Sequence, residues 1–198
     1  MVRAPPLRAD DLPLERQPGS TSPDDDRLMA QFAAGDAKAF NELYARYEVP
    51  VYALCLRLLG DPDAAADAFQ DSFIRLVDTR HDYHGQNRFR SWFFTVARNL
   101  CFDRLRHDRR WGRSLEFHTE GPADPRPSVA HSVEFRDLVA RILGALPRDQ
   151  REVLLLHRYH GFSYAEIAEM TGSTETAVKQ KAYRALIHLR RRSGPPVR

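Results

Sequence analysis

Apolar residues along this chain recur three and four positions apart and never alternate over a useful length, so the pattern predicts helices and no strands. A first helix starts at the cap candidates Asp24 to Asp26 and carries Leu28, Met29 and Phe32 as far as Gly35. Asp36 caps a second, with Phe40, Leu43, Tyr44 and Tyr47 on one face. Pro50 should break or kink it, because proline lacks the amide donor and crowds the preceding turn; helical spacing resumes from Val51 to Leu59. Asp61-Pro62, a capping aspartate before proline at the first helical position, opens a helix to about Thr79 that buries Ala65, Phe69, Phe73, Leu76 and Val77. Residues 80–88 read as a loop. A further helix runs from about Phe89 to His107, where Phe89, Trp92, Phe93 and Val96 form a stripe at core spacing, and Asn99 falls on the Trp92 and Val96 side.

The C-terminal third has sharper punctuation. After helices over about Ser132 to Ala145 and from Leu146-Pro147 onward, Ser163 and Glu166 form a capping box, Thr171-Gly172 stops that helix, and Ser173 is the expected cap of the next. On the last helix Val178, Ala182, Ala185, Leu186 and Leu189 share one side at about 100° per residue. Thr176, Gln180, Tyr183 and Arg184 lie opposite, flanked by Lys179 and Lys181. From Thr176 to Arg192 there are six basic residues and no acidic one. A packed helix with a free face of amide, phenol and guanidinium groups is a helix-turn-helix aimed at a DNA major groove. A plain helical hairpin with a basic end, which a helix dipole would favour, explains the charge but not the coincident cap, turn and polar face.

The chain therefore divides into a tail (1–24, with five prolines), a helical domain (25–112), a linker (113–131, containing Gly121, Pro122, Pro125 and Pro127), a helix-turn-helix domain (132–192) and a short tail (193–198). The fold class is all-α: two small helical domains joined by a flexible linker. Net charge is +3 over 198 residues, and its distribution says more than its sum. Between Arg98 and Arg113 six arginines face two aspartates; between Asp61 and Asp78 five aspartates face Arg75 alone. The arginine-rich end of an aromatic-rich helix suits single-stranded DNA. The acidic helix avoids DNA and suits a basic protein surface.

Other chemistries find no support. Cys55 and Cys101 form no C-x-x-C pair and read as small core residues. The pairs His81/His84 and His157/His160 lack the remaining ligands of a metal site. There is no phosphate loop, nucleophile elbow or acid–base cluster, so no catalytic residues, metal or cofactor are expected. No apolar run is long enough to span a bilayer and no signal peptide is evident, so the expected compartment is the cytoplasm, without membrane insertion.

The segments GDAKAFNELYARY, DPDAAADAFQDSFIRLV, RFRSWFFTVARNLCFDRLR and LPRDQREVLLLHRYHGFSYAEIAEMTGSTETAVKQKAYRALIHLRR, in that order, resemble the extracytoplasmic-function group of sigma-70-type RNA polymerase sigma factors. The likeness spans about Asp24 to Arg192. It implies core RNA polymerase, promoter DNA and an anti-sigma factor as partners. It places Asp67, Gln70, Asp71 and Arg75 against a coiled coil of the largest polymerase subunit. Arg90, Arg98, Asn99, Arg104, Arg106 and Arg109 fall on the opened minus-ten strand, with Asn99 at the position that meets a flipped base. Thr174, Thr176, Lys179, Gln180, Lys181, Tyr183 and Arg184 fall on the minus-thirty-five duplex. Where the family often has Gly-Thr-Val-Lys-Ser-Arg, this chain has Thr176 to Lys181 as TAVKQK, so the likeness carries the scaffold rather than a particular upstream DNA sequence. The alternatives are a stand-alone helix-turn-helix regulator, which should show a receiver or ligand-binding half instead of these helices, and a nucleic-acid hydrolase, which needs a cluster not found.

Overall fold

The computed structural model describes residues 23–85, 88–110 and 141–192. The expected linker and C-terminal tail lie outside the described residues, as does the expected N-terminal tail up to residue 22; Pro23 and Asp24, expected in that tail, instead open the first helix. Four helices make the N-terminal half: α1 (Pro23–Ala33), α2 (Ala37–Leu59), α3 (Pro62–Asp78) and α4 (Phe89–Arg110). The C-terminal half begins with a helix end over residues 141–144 and continues with α5 (Arg148–Leu154), a π-helical turn (Leu155–Tyr159), α6 (Tyr164–Thr171) and α7 (Glu175–Arg192).

Local signals set most of these boundaries. The Asp36 carboxylate accepts from the Lys38 amide at 2.8 Å, and that of Asp61 accepts from the Ala64 amide at 2.9 Å, each satisfying a donor that the first helical turn leaves free. Gly60 and Gly172 close α2 and α6 in the left-handed conformation, with φ of 74° and 61°. Both halves of the Ser163–Glu166 capping box are present. Two expectations need correction. Pro50 does not interrupt α2, which runs unbroken through it; Tyr47, Val51 and Leu54 are buried on either side, so core packing offsets the single lost backbone bond. The cap of α7 is Thr174 rather than Ser173: its hydroxyl accepts from the Ala177 amide at 3.2 Å.

Within the first half, α2 packs on α3, α4 and α1, and Leu43, Leu54, Leu59, Leu76, Phe89 and Phe93 are fully buried between them. Edge-on aromatic contacts run through this core, with Phe73 and Phe93 centroids 5.0 Å apart and Tyr47 and Phe93 5.6 Å apart. Helix α1 is fastened by charge. Asp25, 1% exposed, accepts from the Tyr47 hydroxyl at 2.6 Å and pairs with Arg46. Burial, and then this bond, push the Tyr47 phenol well above its usual range. Asp25→Ala should strand the buried Tyr47 phenol, while Arg46 keeps Asp24 at 3.2 Å and Glu42 at 2.8 Å, and should lower stability by about 1–3 kcal/mol. A denaturation midpoint equal to wild type would show that the clasp contributes nothing.

In the second half, α7 packs against both α5 and α6 through Val178, Ala182, Ala185 and Leu189. The two halves also touch. Helix α6 lies on α4, and α5 meets the end of α2, where buried Arg151 donates to the carbonyls of Leu58, Gly144 and Leu146. Burial pushes the Arg151 guanidinium down to about 10, and carbonyls at a helix C-terminus are suited to hold it charged.

Candidate nucleic-acid and protein interfaces

Packing turns one face of α7 inward and leaves the opposite one in solvent. Thr176, Gln180, Tyr183 and Arg184 are all exposed, Tyr183 by 65%. The flanking lysines are tethered: Lys179 pairs with Glu175 at 2.6 Å, and Lys181 stands 3.9 Å from Asp149. The Thr174 hydroxyl accepts its capping bond and retains a free donor at the same end. This surface offers donors of several lengths over three helical turns, the requirement for meeting base edges and phosphates together.

A second candidate lies between the end of α3, the following loop and α4, a groove of about 910 Å³. Tyr83, Trp92, Val96 and Leu100 supply its apolar surface, and Arg75, Asp82, His84, Arg88, Asn99 and Asp103 its polar one. Tyr83 is the residue that sequence reasoning missed. It sits in a segment read only as loop, yet its ring lies 5.0 Å from that of Trp92 and its hydroxyl donates to Asp26 of α1. Gly85 keeps this loop close to α1, since a Cβ there would come within 2.7 Å of the Asp26 carboxylate. Asn99 is exposed at the groove, with its Oδ1 accepting from Arg98 at 2.7 Å. An aromatic wall beside an amide and mixed charges suits a flat ligand with hydrogen-bonding edges, such as an unstacked base.

The arginines of α4 separate into three groups. Arg104 turns toward α3, where it holds Asp71 at 2.6 Å and Asp67 at 3.2 Å, so it sits on the acidic face instead of reaching outward with its neighbours. Arg106 is exposed and pairs with Asp103; the side chain of Arg109 lies outside the described residues. Arg90 and Arg98 point at the C-terminal half. The Arg90 guanidinium lies 4.0 Å from the Phe162 ring centroid and donates to the His160 carbonyl, and burial lowers its proton affinity. Arg98 pairs with Glu152, whose side chain is only 5% exposed. Nothing in the sequence pattern announced that these two face another part of the same chain.

On α3, Gln70 and Asp67 are exposed, Asp71 is half-buried, and Ile74 stands among them with half its surface open. An exposed branched apolar residue ringed by carboxylates has the form of a protein-docking face. Arg75 lies at the boundary of this face and the groove.

Family models match in two places: sigma-70 region 2 over residues 43–111 and sigma-70 region 4 over residues 136–189. The chain is 30% identical to the ECF RNA polymerase sigma factor SigM of Mycobacterium tuberculosis strain H37Rv, over 86% of this chain and 85% of that one. It is 29% identical to the RNA polymerase sigma factor CarQ of Myxococcus xanthus, covering 95% of it. It is also 31% identical to the probable RNA polymerase sigma factor RfaY of Xanthomonas campestris, but spans only 40% of that relative's length. Among solved structures, the sigma factor RpoE in complex with the anti-sigma factor NepR from Bartonella quintana aligns with a TM-score of 0.65 at 25% identity, covering 78% of this chain and 96% of that one. CnrH in complex with the cytosolic domain of CnrY aligns with a TM-score of 0.62 at 27% identity, covering 83% and 94%.

Proposed function

The chain belongs to the extracytoplasmic-function group of sigma-70 RNA polymerase sigma factors, and we propose that its two halves divide promoter recognition between them. The observation that carries this reading is the presence of region 2 and region 4 matches, in that order, on one all-helical chain. A stand-alone regulator accounts for the second match and not for the first.

The proposal assigns residues 25–112 to core polymerase and the minus-ten element, and 132–192 to the minus-thirty-five element. Asp67, Gln70 and Asp71, with Ile74 at their centre, form the polymerase-docking face, and Arg75 borders it. The groove receives an unstacked base of the opened strand between Tyr83, Trp92 and Asn99. Arg90, Arg98 and Arg106, joined by Arg109, neutralise the adjoining phosphates. Arg104 acts differently, neutralising part of the acidic face through its pairs with Asp67 and Asp71. On α7, Thr174, Thr176, Gln180, Tyr183 and Arg184 read the upstream duplex, with Lys179 and Lys181 on its phosphates. RNA synthesis itself belongs to the polymerase, and this chain supplies specificity with no cofactor. The proposal places the chain in the cytoplasm with the polymerase; no helix among the described residues is long and apolar enough to cross a membrane. The aligned sigma factor–partner complexes support an anti-sigma factor as a further partner.

Run-off transcription with purified core polymerase on a promoter library tests the assignment: the full chain should yield specific transcripts that core alone does not. The same library separates base readers from phosphate binders. Arg184→Ala should lose roughly 1–3 kcal/mol at preferred upstream sequences and relax base preference there. Lys181→Ala should weaken all sequences about equally and reduce the salt slope by about one. Equal, sequence-independent losses in both variants would remove Arg184 from base reading.

A further inference from the structure

Three consecutive aspartates open α1, and they serve different neighbours. Asp24 and Asp25 pair with Arg46, and Asp25 also accepts from the Tyr47 hydroxyl, so both fasten α1 to α2. Asp26 lies about 100° further round the helix and turns to the loop after α3, where its Oδ1 accepts from the Tyr83 hydroxyl. Its other oxygen, Oδ2, is buried with no hydrogen-bond partner. A carboxylate serving stability alone would be turned to water or fully paired; this one is kept half-satisfied, at a cost, on its bond to Tyr83. Tyr83 is thereby fixed at both ends. Its Cβ belongs to the loop and its hydroxyl to α1, while the ring between them lies 5.0 Å from that of Trp92 and 5.8 Å from that of Phe89. Packing on one side leaves such a ring free to turn outward about its χ1 bond, and a tie from its far end to a carboxylate does not. Burial, and then the bond to Asp26, push the Tyr83 phenol well above its usual range, so it remains a donor. Gly85 completes the arrangement: a Cβ there would meet Asp26 Oδ1 at 2.7 Å and Tyr83 Cε1 at 3.4 Å, so a larger residue would press directly on the carboxylate and phenol. A weaker tie joins the same loop to α1, with the Arg80 guanidinium 6.0 Å from the Phe32 ring centroid.

We propose that Asp26 is a positioning residue for base selection at the groove: through the Tyr83 hydroxyl it sets the ring that forms one wall, and with it the width that an unstacked base must fit. The inference rests on the reading of the groove as a base site given above. Asp26 acts from behind the wall, so its effect falls on which base fits and leaves polymerase docking and upstream duplex reading alone. A ring free to turn adapts to purines and pyrimidines alike, whereas a ring held at both ends favours one over the other.

The test uses the full chain with core polymerase and a promoter library randomised over the minus-ten element. The quantity read is the ratio of transcripts from the most to the least favoured base at each position. Asp26→Ala and Tyr83→Phe should each flatten this ratio about threefold or more at one position, the effect of one hydrogen bond, and leave upstream preferences at their wild-type values. Asp26→Asn keeps an acceptor oxygen and should retain most of the ratio. The double variant Asp26→Ala, Tyr83→Phe should be no flatter than the flatter single one, because both substitutions remove the same bond. Tyr83→Phe keeps the ring and its packing, so it provides a folded comparison even where Asp26→Ala lowers helicity. A purely structural role predicts fewer transcripts at every position with the base ratios unchanged. That outcome, additive effects in the double variant, or a loss in Asp26→Asn equal to that in Asp26→Ala would overturn the inference. Trp92→Ala and Asn99→Ala separate it from the reading beneath it. If these two flatten the ratio while Asp26→Ala and Tyr83→Phe do not, the inference alone falls; if none of the four does, the groove is not a base site and both fall.

Discussion

Asp71→Arg is expected to reduce affinity for core RNA polymerase at least about tenfold, a loss of about 1.4 kcal/mol or more, while helicity stays at the wild-type level. Positions 67, 70, 71, 74 and 78 follow the three- and four-residue spacing that places side chains on one face of α3. Ile74 supplies the desolvated centre of that face and the carboxylates supply its charge. Reversal at position 71 changes the local charge by two units and sets a new guanidinium beside Arg104, which now holds Asp71 at 2.6 Å. Repulsion should turn Arg104 outward, so a basic partner would meet two cations where it met a neutralised pair. The side chain of Asp71 is 45% exposed and takes no part in the core, so the fold should survive. Arg104→Ala is the informative contrast, because it frees Asp67 and Asp71 and should leave affinity equal or higher. Native helicity with undiminished polymerase affinity for Asp71→Arg would exclude the acidic face from the interface.

What could be read from sequence was what neighbours along the chain decide. Asp61-Pro62, the Ser163–Glu166 box and Gly172 act within one helical turn, and each appears where its local chemistry requires. Pro50 shows the limit of that logic. Its local penalty is real, but Tyr47, Val51 and Leu54 are packed against other helices and keep α2 whole. Long side chains show a second limit. Charge and helical phase put Arg90, Arg98 and Arg104 on α4, but a guanidinium several bonds from its Cα finds its partner by tertiary contact. One goes to an aromatic slot, one to a buried glutamate and one to the acidic helix. Asn99 was legible by phase as a neighbour of Trp92 and Val96, and all three line the groove. Tyr83 was not, because a residue in an irregular segment has no periodicity to reveal which way it faces.

Asn99→Ala should reduce open complexes on duplex promoters about tenfold while affecting templates already melted at the minus-ten element much less. The amide lies at the polar rim of the groove whose other side is Tyr83 and Trp92, and it carries two donors and one acceptor group. Extruding a base costs a few kcal/mol of stacking and pairing, offset by stacking on the aromatic wall and by hydrogen bonds to the base edge. Losing one such bond removes about 1–1.5 kcal/mol from the side of the balance that drives extrusion. On duplex DNA that loss weighs against opening. On a melted template the unstacking cost is largely absent, so the same lost bond leaves occupancy near saturation. The substitution also releases the Arg98 Nη1 donor from Asn99 Oδ1 while leaving its Nε on Glu152, so the contact between the halves should persist and the defect should not arise from altered domain separation. Transcription from matched duplex and pre-melted templates, at equal concentrations of polymerase and of this chain, separates the cases. Equal defects on both would assign Asn99 to recognition of a strand already open. No defect on either would show that the groove beside α4 does not receive a base, and its aromatic wall would then be core packing that happens to reach the surface.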